Sequence, residues 1–374
     1  MSRTLLRYVA RLYLTLFVGV LAAVLVIYVV VDFGDRLKAF LDKPAADVAL
    51  LYWLKVVVAV HRLSPAAMLL AAGAAASIVR KRGEWTAMQA LGLSRWVLVG
   101  PVVGCTLALA VGLTAYDEYV VTRAGTRMDQ VLLERFQTWG EYRFFYSPKQ
   151  WFRVGDHVFH LRGATDDDGT LHDVAIFDLD KSFGLTRRLD AATLSPLGGA
   201  RWRLTQVVER RFSPNGSSAR VEDPALEVEL AGTDPKSFDI RQGKPELMQV
   251  GVILSQQEIR ARVGLPTQRF WLALHNRFAY PVTGVAAALL AVTLALRPSR
   301  RGHLTLALVE GLFISVALFA LMVAGKTLVL SEHLSPFAAA WAPVMGLLAA
   351  SAALWAFAER GRGTVTRPTA GGKP

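Results

Sequence analysis

Gly325-Lys326-Thr327 has the ending of a nucleotide-binding P-loop, in which the lysine reaches the β- and γ-phosphates. The motif needs a glycine five residues before Gly325, and Ala320 stands there. The tripeptide also lies in a long apolar run with no strand before it, where no phosphate cradle forms. The H-E-x-x-H and G-x-S-x-G patterns are absent, as is G-x-G-x-x-G in a βαβ setting. Asp166-Asp167-Asp168 has the chemistry of a Ca²⁺ loop, but Asp168-Gly169 reads more simply as a hairpin tip. His157, His160 and His172 are too few and too irregularly spaced for a metal centre. Trp139, Trp151 and Trp202, with arginines nearby, could stack a carbohydrate or nucleotide; a β-sandwich core uses the same aromatics, and that is the favoured reading. Cys105, the single cysteine, excludes an intrachain disulfide and a four-cysteine zinc site. Neither a catalytic residue, a metal ligand nor a cofactor is expected in this chain.

The segment Arg80 to Arg95, RKRGEWTAMQALGLSR, stands out between two hydrophobic runs. Glu84, Met88 and Leu91 recur at i, i+4 and i+7, on one helical face, with Trp85 and Gln89 beside them. Gly92 can take a left-handed conformation and end the short helix. Such a helix can lie flat on lipid headgroups, or it can dock on a separate cytoplasmic protein. An acidic residue opening a basic, lipid-facing loop suits docking, and the residues leave both readings open.

Six runs must position that loop. The chain of 374 residues is 53% hydrophobic and 19% charged, with a mean hydropathy of +0.35. Ala10–Val31, Lys55–Val79, Trp96–Ala115, Trp271–Leu296, Leu304–Leu330 and Phe337–Phe357 are each apolar over about the 20 residues that cross a bilayer core. The first reads as a retained anchor, since its apolar stretch exceeds that of a cleaved leader. The net charge of +12 would suggest nucleic acid in a soluble protein. Residues 116–272 hold 21 basic and 22 acidic residues, so the excess lies with the hydrophobic runs and reads as membrane orientation. Arg3, Arg7 and Arg11, then Arg80, Lys81 and Arg82, then Arg297, Arg300 and Arg301, then Arg360 and Arg362 all fall on one side of a six-helix chain. Positive loops favour the cytoplasm, so both termini are expected inside and residues 116–270 outside.

That insert changes character. From Tyr142 onward, short alternating runs (Trp151–Val154, Val158–Arg162, Val174–Leu179, Ala200–Leu204, Leu226–Leu230) are separated by turn pairs such as Phe183-Gly184, Gly198-Gly199 and Asn215-Gly216. Strands at this spacing predict a sandwich or jelly roll. Leu254–Arg262 then reads as a short helix that Pro266 closes. The expected organisation is three membrane helices in 1–115 with a cytoplasmic helix at about 83–92, a β-rich domain in 116–270 with flanking helices, three membrane helices in 271–358, and a Gly/Pro/Thr-rich disordered tail in 359–374. The fold class is a polytopic α-helical membrane protein with an inserted, periplasmic, jellyroll-like all-β domain.

The pattern Glu84-x-x-x-Met88-Gln89-Ala90-x-Gly92-x-Ser94-Arg95, between the second and third helices, resembles the coupling helix of the lipopolysaccharide export permeases LptF and LptG. The resemblance runs over nearly the whole chain. It includes Phe33-Gly-Asp-Arg-Leu-Lys38, Ser64-Pro65, the long β-rich insert, and the stretch from Pro336 to Pro343. Within the insert, Trp202-Arg-Leu-Thr-Gln-Val207 resembles an LptG strand and tilts the likeness toward LptG. The family implies two paired permeases in the inner membrane of Gram-negative bacteria, above a dimer of the ATPase LptB. Lipopolysaccharide enters a central cavity from the outer leaflet and is driven through the β domains toward LptC and a periplasmic bridge. ATP and Mg²⁺ belong to the partner ATPase, so this chain is a transport subunit and no enzyme. Nucleic acid is not an expected partner. The resemblance assigns Glu84, Trp85, Met88, Gln89, Ala90 and Gly92 to ATPase coupling, with Glu84 foremost, and helices one and five to lateral gates against the partner permease.

A receiver of a phosphorylated glycolipid needs cations near headgroup level. Arg36, Lys38 and Lys43 beyond the first helix, Arg62 within the second and Lys326 near the end of the fifth are the candidates. A lone arginine in a bilayer costs about 2.5–3.5 kcal/mol on insertion scales, so Arg62 should face a cavity, a phosphate or a carboxylate. Snorkelling to headgroups is the plain alternative for these side chains. Asp32, just before Phe33, departs from the family pattern, and an acidic residue there would repel a lipid phosphate. Two other functions compete: a membrane-anchored lipid- or ligand-binding sensor, and a membrane-anchored enzyme working through residues 116–270.

Overall fold

A computed structural model describes residues 3–136, 150–154, 157–162, 170–180, 184–212, 218–230, 244–262, 264–297 and 304–363. The chain divides into two compact units, a helical one (Met1–Gln137 with Trp271–Pro374) and one built on a sheet (Thr138–Phe270). The aspartate run 166–168, Trp139 and the turn Asn215-Gly216 fall outside the described residues.

The helical unit holds α1 (Arg3–Phe40), α2 (Ala45–Lys81), α3 (Glu84–Ala90), α4 (Trp96–Tyr116) and α5 (Thr122–Glu134), then α7 (Gln268–Ala295), α8 (Leu304–Leu330) and α9 (Pro336–Gly363). A π-helical turn, Asp117–Val121, joins α4 to α5 without a break. Six spans are long and apolar enough to cross a membrane: Arg3–Phe40, Ala45–Lys81, Trp96–Glu134, Gln268–Ala295, Thr305–Leu330 and Pro336–Phe357. These contain the six apolar runs, apart from one or two residues at the run ends. The helices α1 and α2, at 38 and 37 residues, exceed the roughly 20 residues a bilayer core requires, so their polar ends continue as helix past the apolar run.

The centre of the unit is α2. Its stretch Ala71-Ala-Gly-Ala-Ala-Ala-Ser77 is buried throughout. Small side chains let helix backbones approach closely in a membrane, where apolar burial alone supplies no driving force. The approach is tightest at Gly284 of α7. A Cβ there would fall 2.5 Å from Met68 Sδ and 3.1 Å from the Cα of Pro65. Pro65 has no N–H for the carbonyl four residues back, and beside it Ser64 Oγ donates to the Val60 carbonyl at 2.5 Å.

The second unit carries β1 (Gln150–Val154), β2 (His157–Leu161), β3 (Leu171–Leu179), β4 (Leu185–Gly198), β5 (Arg201–Phe212) and β6 (Ser218–Glu229), followed by α6 (Val250–Arg262). The strands form one antiparallel meander in the order β1-β2-β3-β4-β5-β6. Among the described strands none of the crossover neighbours of a jelly roll occurs. Phe159, Ile176, Leu189, Leu194, Trp202 and Leu204 form the core, and Ile259 of α6 packs against it. Strand β4 was not expected, and its core positions explain why: Leu189 and Ala191 alternate, then Leu194 breaks the period. The same skip recurs in β3 between Leu171 and Val174, where Asp173 has φ +49°, and in β5 between Leu204 and Val207, where Gln206 has φ +51°. In register, Leu171 opposes Leu194 and Leu194 opposes Leu204, so the three skips line up across the sheet with the pairing unbroken. The turn at Gly198-Gly199 between β4 and β5 is as expected.

Glu209, nearly fully buried, closes one end of this core. Its carboxylate accepts from Arg211 at 2.5 Å and Arg187 at 2.8 Å. The hydrogen bond from Arg211, reinforced by the charge of Arg187, holds its pKa below the usual glutamate value despite burial.

Two outcomes follow from this packing. Gly284→Ala should destabilise the helical unit by about 1–3 kcal/mol, the usual cost of overpacking, whereas Gly73→Ala, whose nearest neighbour is an ordinary 3.6 Å away, should be close to neutral. Thermal unfolding in detergent checks this, and equal melting of the two variants would rule out the close approach. Glu209→Gln should weaken the sheet unit at neutral pH. Because the folded pKa is depressed, the wild-type advantage is complete above about pH 4.3, the ordinary glutamate value, and fades as pH falls through the folded value. Acid unfolding curves of the two proteins should therefore converge at low pH.

Candidate functional site

The short helix α3 begins after Gly83, which sits at φ +74°, and ends at Gly92, at φ +72°. The Gly92 N–H reaches the Gln89 carbonyl and the Leu93 N–H reaches the Met88 carbonyl, both at 3.0 Å. These are the two bonds of a Schellman ending, and the left-handed glycine they require is Gly92. The expected stop is therefore where it was placed.

The faces of α3 differ from expectation. Trp85 and Met88 point into the helical core, at 6% and 7% exposure, while Leu91 is 78% exposed. Met88 thus does not share an outward face with Leu91, because the inward stripe runs through Trp85 and Met88 at i, i+3. Thr86, Ala87, Ala90, Leu91, Gly92 and Ser94 are exposed, and Glu84 and Gln89 are half-buried. An open cleft is lined by Gln89, Gly92, Leu93, Ser94 and Arg95.

Glu84 is engaged within the chain. Tyr8 Oη on α1 donates to its carboxylate, 3.0 Å from each oxygen. Arg82 Nη1 donates to Tyr8 Oη at 3.1 Å and stands 3.8 Å from Glu84. Further ties hold the loop on both flanks. Arg80 donates to the Ala295 carbonyl at the end of α7 at 3.0 Å. The Arg95 guanidinium lies 5.5 Å from the Trp355 ring centre on α9. Neither Tyr8 nor these ties carries a local sequence signal.

The cation set separates in the same way. Asp32 is not a bare negative charge. Its Oδ2 accepts from Lys55 Nζ at 2.5 Å and Tyr52 Oη at 2.8 Å, and Arg36 stands 3.4 Å from its Oδ1. The repulsion expected of Asp32 is thereby cancelled by a lysine one helix away. Lys43 donates to the Arg135 carbonyl at 3.0 Å and lies near the Phe136 ring. Lys38 is exposed on the last turn of α1, as are Arg62 on α2 and Lys326 on α8. Gly325-Lys326-Thr327 is helical throughout, which leaves no loop to hold a phosphate chain.

Among the described residues, the most deeply buried cation of this unit was not among the candidates. Arg277 of α7 is 4% exposed. Its Nε is 2.8 Å from Asp117, and its Nη1 donates to Glu118 at 2.5 Å, both carboxylates rising from the π-helical turn. His61 Nε2 of α2 stands 3.7 Å from the same Asp117. A buried arginine shared by two carboxylates is compensated, whereas either partner alone would be costly. The sequence signal was an ionisable residue inside a hydrophobic run, which is worth a partner search in any membrane helix. Among the described residues, no group of three or more His, Cys, Asp or Glu side chains could hold a metal ion.

The chain thus joins six helices long enough to span, a short helix flanked by left-handed glycines between the second and third spans, and a sheet unit inserted after the third. No curated protein matches the chain. The profile of the lipopolysaccharide export system permease LptF/LptG matches residues 7–357. With nearly its whole length matched, the chain belongs to the LptF/LptG family of lipopolysaccharide export permeases.

Proposed function

We propose that this chain is the permease subunit of an ABC transporter that extracts lipopolysaccharide from the inner membrane. It pairs with a homologous permease, takes its mechanical work from an LptB ATPase dimer bound at α3, and passes the lipid through its sheet unit toward LptC and the periplasmic bridge. Both termini and α3 then face the cytoplasm, and the sheet unit faces the periplasm. The likeness of Trp202–Val207 to an LptG strand favours the LptG member of the pair.

The observation that carries this reading is the construction of α3. Trp85 and Met88 anchor it in the core, and Leu91, Gly92 and Ser94 are left outside. A force on the outer face cannot be absorbed by the loop. It passes to the core through Trp85 and to α1 through the Tyr8–Glu84–Arg82 contacts. A helix that merely rests on headgroups has no need of such ties.

The spans that would move are also the least enclosed. Only 6% of the apolar window is buried in α1 and in α8, against 56% in α2 and 61% in α7. Two long apolar faces of one chain suit a partner permease on either side of a lipid cavity. Lys38 lies at one end of α1, where it can meet a lipid phosphate, with Arg36 beside it already steadied by Asp32.

Glu84→Arg should leave membrane insertion intact and abolish co-purification with the ATPase or lipid-stimulated ATP hydrolysis. Normal lipid export by that variant would refute coupling through α3. Lys38→Gln should weaken lipopolysaccharide binding about fivefold, as expected for about 1 kcal/mol per cation at an anionic surface. Lys43→Gln should change it less, because Lys43 is already bound to the Arg135 carbonyl. Equal losses in the two variants would reassign the phosphate contact.

A further inference from the structure

Trp151 is 56% exposed, while Trp202 is fully buried in the sheet core. The expectation that these tryptophans fill the core holds for one and fails for the other. Trp151 opposes His160 in register, one residue out of phase with the Phe152–Phe159 pair whose Phe159 lies in the core. It therefore stands on the opposite face of the sheet. Its indole stacks on the His160 ring at 4.0 Å and lies 5.4 Å from Phe177. The rings make a layered aromatic platform in which Trp151 keeps more than half of its surface exposed.

Arginines border that platform. In register, Arg153 opposes Val158, Val158 opposes Phe177, Phe177 opposes Arg188, Arg188 opposes Arg210, and Arg210 opposes Arg220. One row across six strands thus holds four arginines, three of them directly opposite one another on β4, β5 and β6. Like charges at directly opposite positions destabilise a sheet. Part of the cost is met locally. Arg188 pairs with Asp190 at 2.7 Å and lies 5.2 Å from the Phe177 ring centre, and Arg220 pairs with Glu222 at 2.5 Å. Arg210, between them, has no ion pair among the described residues. The row retains an excess of positive charge on the face that carries Trp151, with Arg210 four strands from the indole, about 19 Å away.

We propose that this face binds a phosphorylated oligosaccharide, with a sugar ring stacked on Trp151 and its phosphate groups held by the arginine row. The chemistry matches on both counts. The C–H face of a sugar ring is apolar and fits an indole that is rigid and partly wet. Guanidinium groups bind phosphate in bidentate fashion and stack on rings, which lysines do not. On the permease reading, on which this assignment rests for its source, the occupant is the phosphorylated sugar portion of the glycolipid. The face would then guide the headgroup that the apolar core of the sheet cannot accept.

The probe is lipopolysaccharide stripped of all acyl chains, titrated calorimetrically into the full-length chain in detergent. Saturable binding is expected, weakened at least tenfold by Trp151→Ala and by Arg210→Gln, and largely kept by Trp151→Phe. Circular dichroism should show all three variants folded, since Trp151 contributes nothing to the core. The dephosphorylated oligosaccharide should bind more weakly, and inorganic phosphate should bind without dependence on Trp151. No binding of the phosphorylated oligosaccharide, or equal binding by wild type and Trp151→Ala, overturns the proposal. So does protection of Trp151 only by an added protein partner. If the oligosaccharide fails to bind while intact lipopolysaccharide still stimulates ATP hydrolysis, the platform is wrong and the permease reading stands. If it binds through Trp151 while intact lipopolysaccharide stimulates nothing, the platform stands and the coupling falls.

Discussion

The core of a bilayer supplies no water to charged or polar groups, so each one carried there must be compensated by the protein itself. This chain meets that constraint at α2. Lys55 of α2 binds Asp32 of α1, and His61 of α2 lies against Asp117, which with Glu118 holds Arg277 of α7. These contacts gather three other segments of chain, α1, the π-helical turn and, through that turn, α7, around one helix. The Ala/Gly/Ser run of α2 then lets their backbones close in without leaving voids. The charges and the small residues are two parts of one solution. Charge pairing fixes which helices meet, and side-chain size fixes how near they come.

A centre built in this way leaves the periphery open. The apolar faces of α1 and α8 have little of their own chain to pack against. On the proposed function, that is where a second subunit and a lipid would be accommodated. The short helix α3 shows the opposite design, with Trp85 and Met88 inward and Thr86, Ala87, Ala90 and Leu91 outward. Attachment on one side and an open surface on the other suit the force-receiving part proposed for it.

The sheet unit follows a different rule. Its core is assembled from alternate residues, but a line through the left-handed Asp173 on β3 and Gln206 on β5 breaks the alternation of three strands together while their register is kept. Alternation read along any one of them fails at that line. This is why β4, with its arginines, its two alanines and Pro196, escaped a reading based on period. The same pleat put Trp151 outside and Trp202 inside, a distinction that composition cannot make.

The sequence by itself determined the number of spans, the place of the inserted sheet unit, the position of the short helix α3 and its end at Gly92, because these depend on run length and on local backbone chemistry. It also identified the family, through a pattern of residues spread along the chain. Only the tertiary structure decided which charges are spent. Asp32 looks like an obstacle to an anionic lipid until Lys55, 23 residues away, is seen against it, and Glu84 looks free until Tyr8 of α1 is seen to bind it. Partners at such separations are chosen by helix packing, in which the contact depends on how two cylinders meet, and no local pattern in either segment records that meeting.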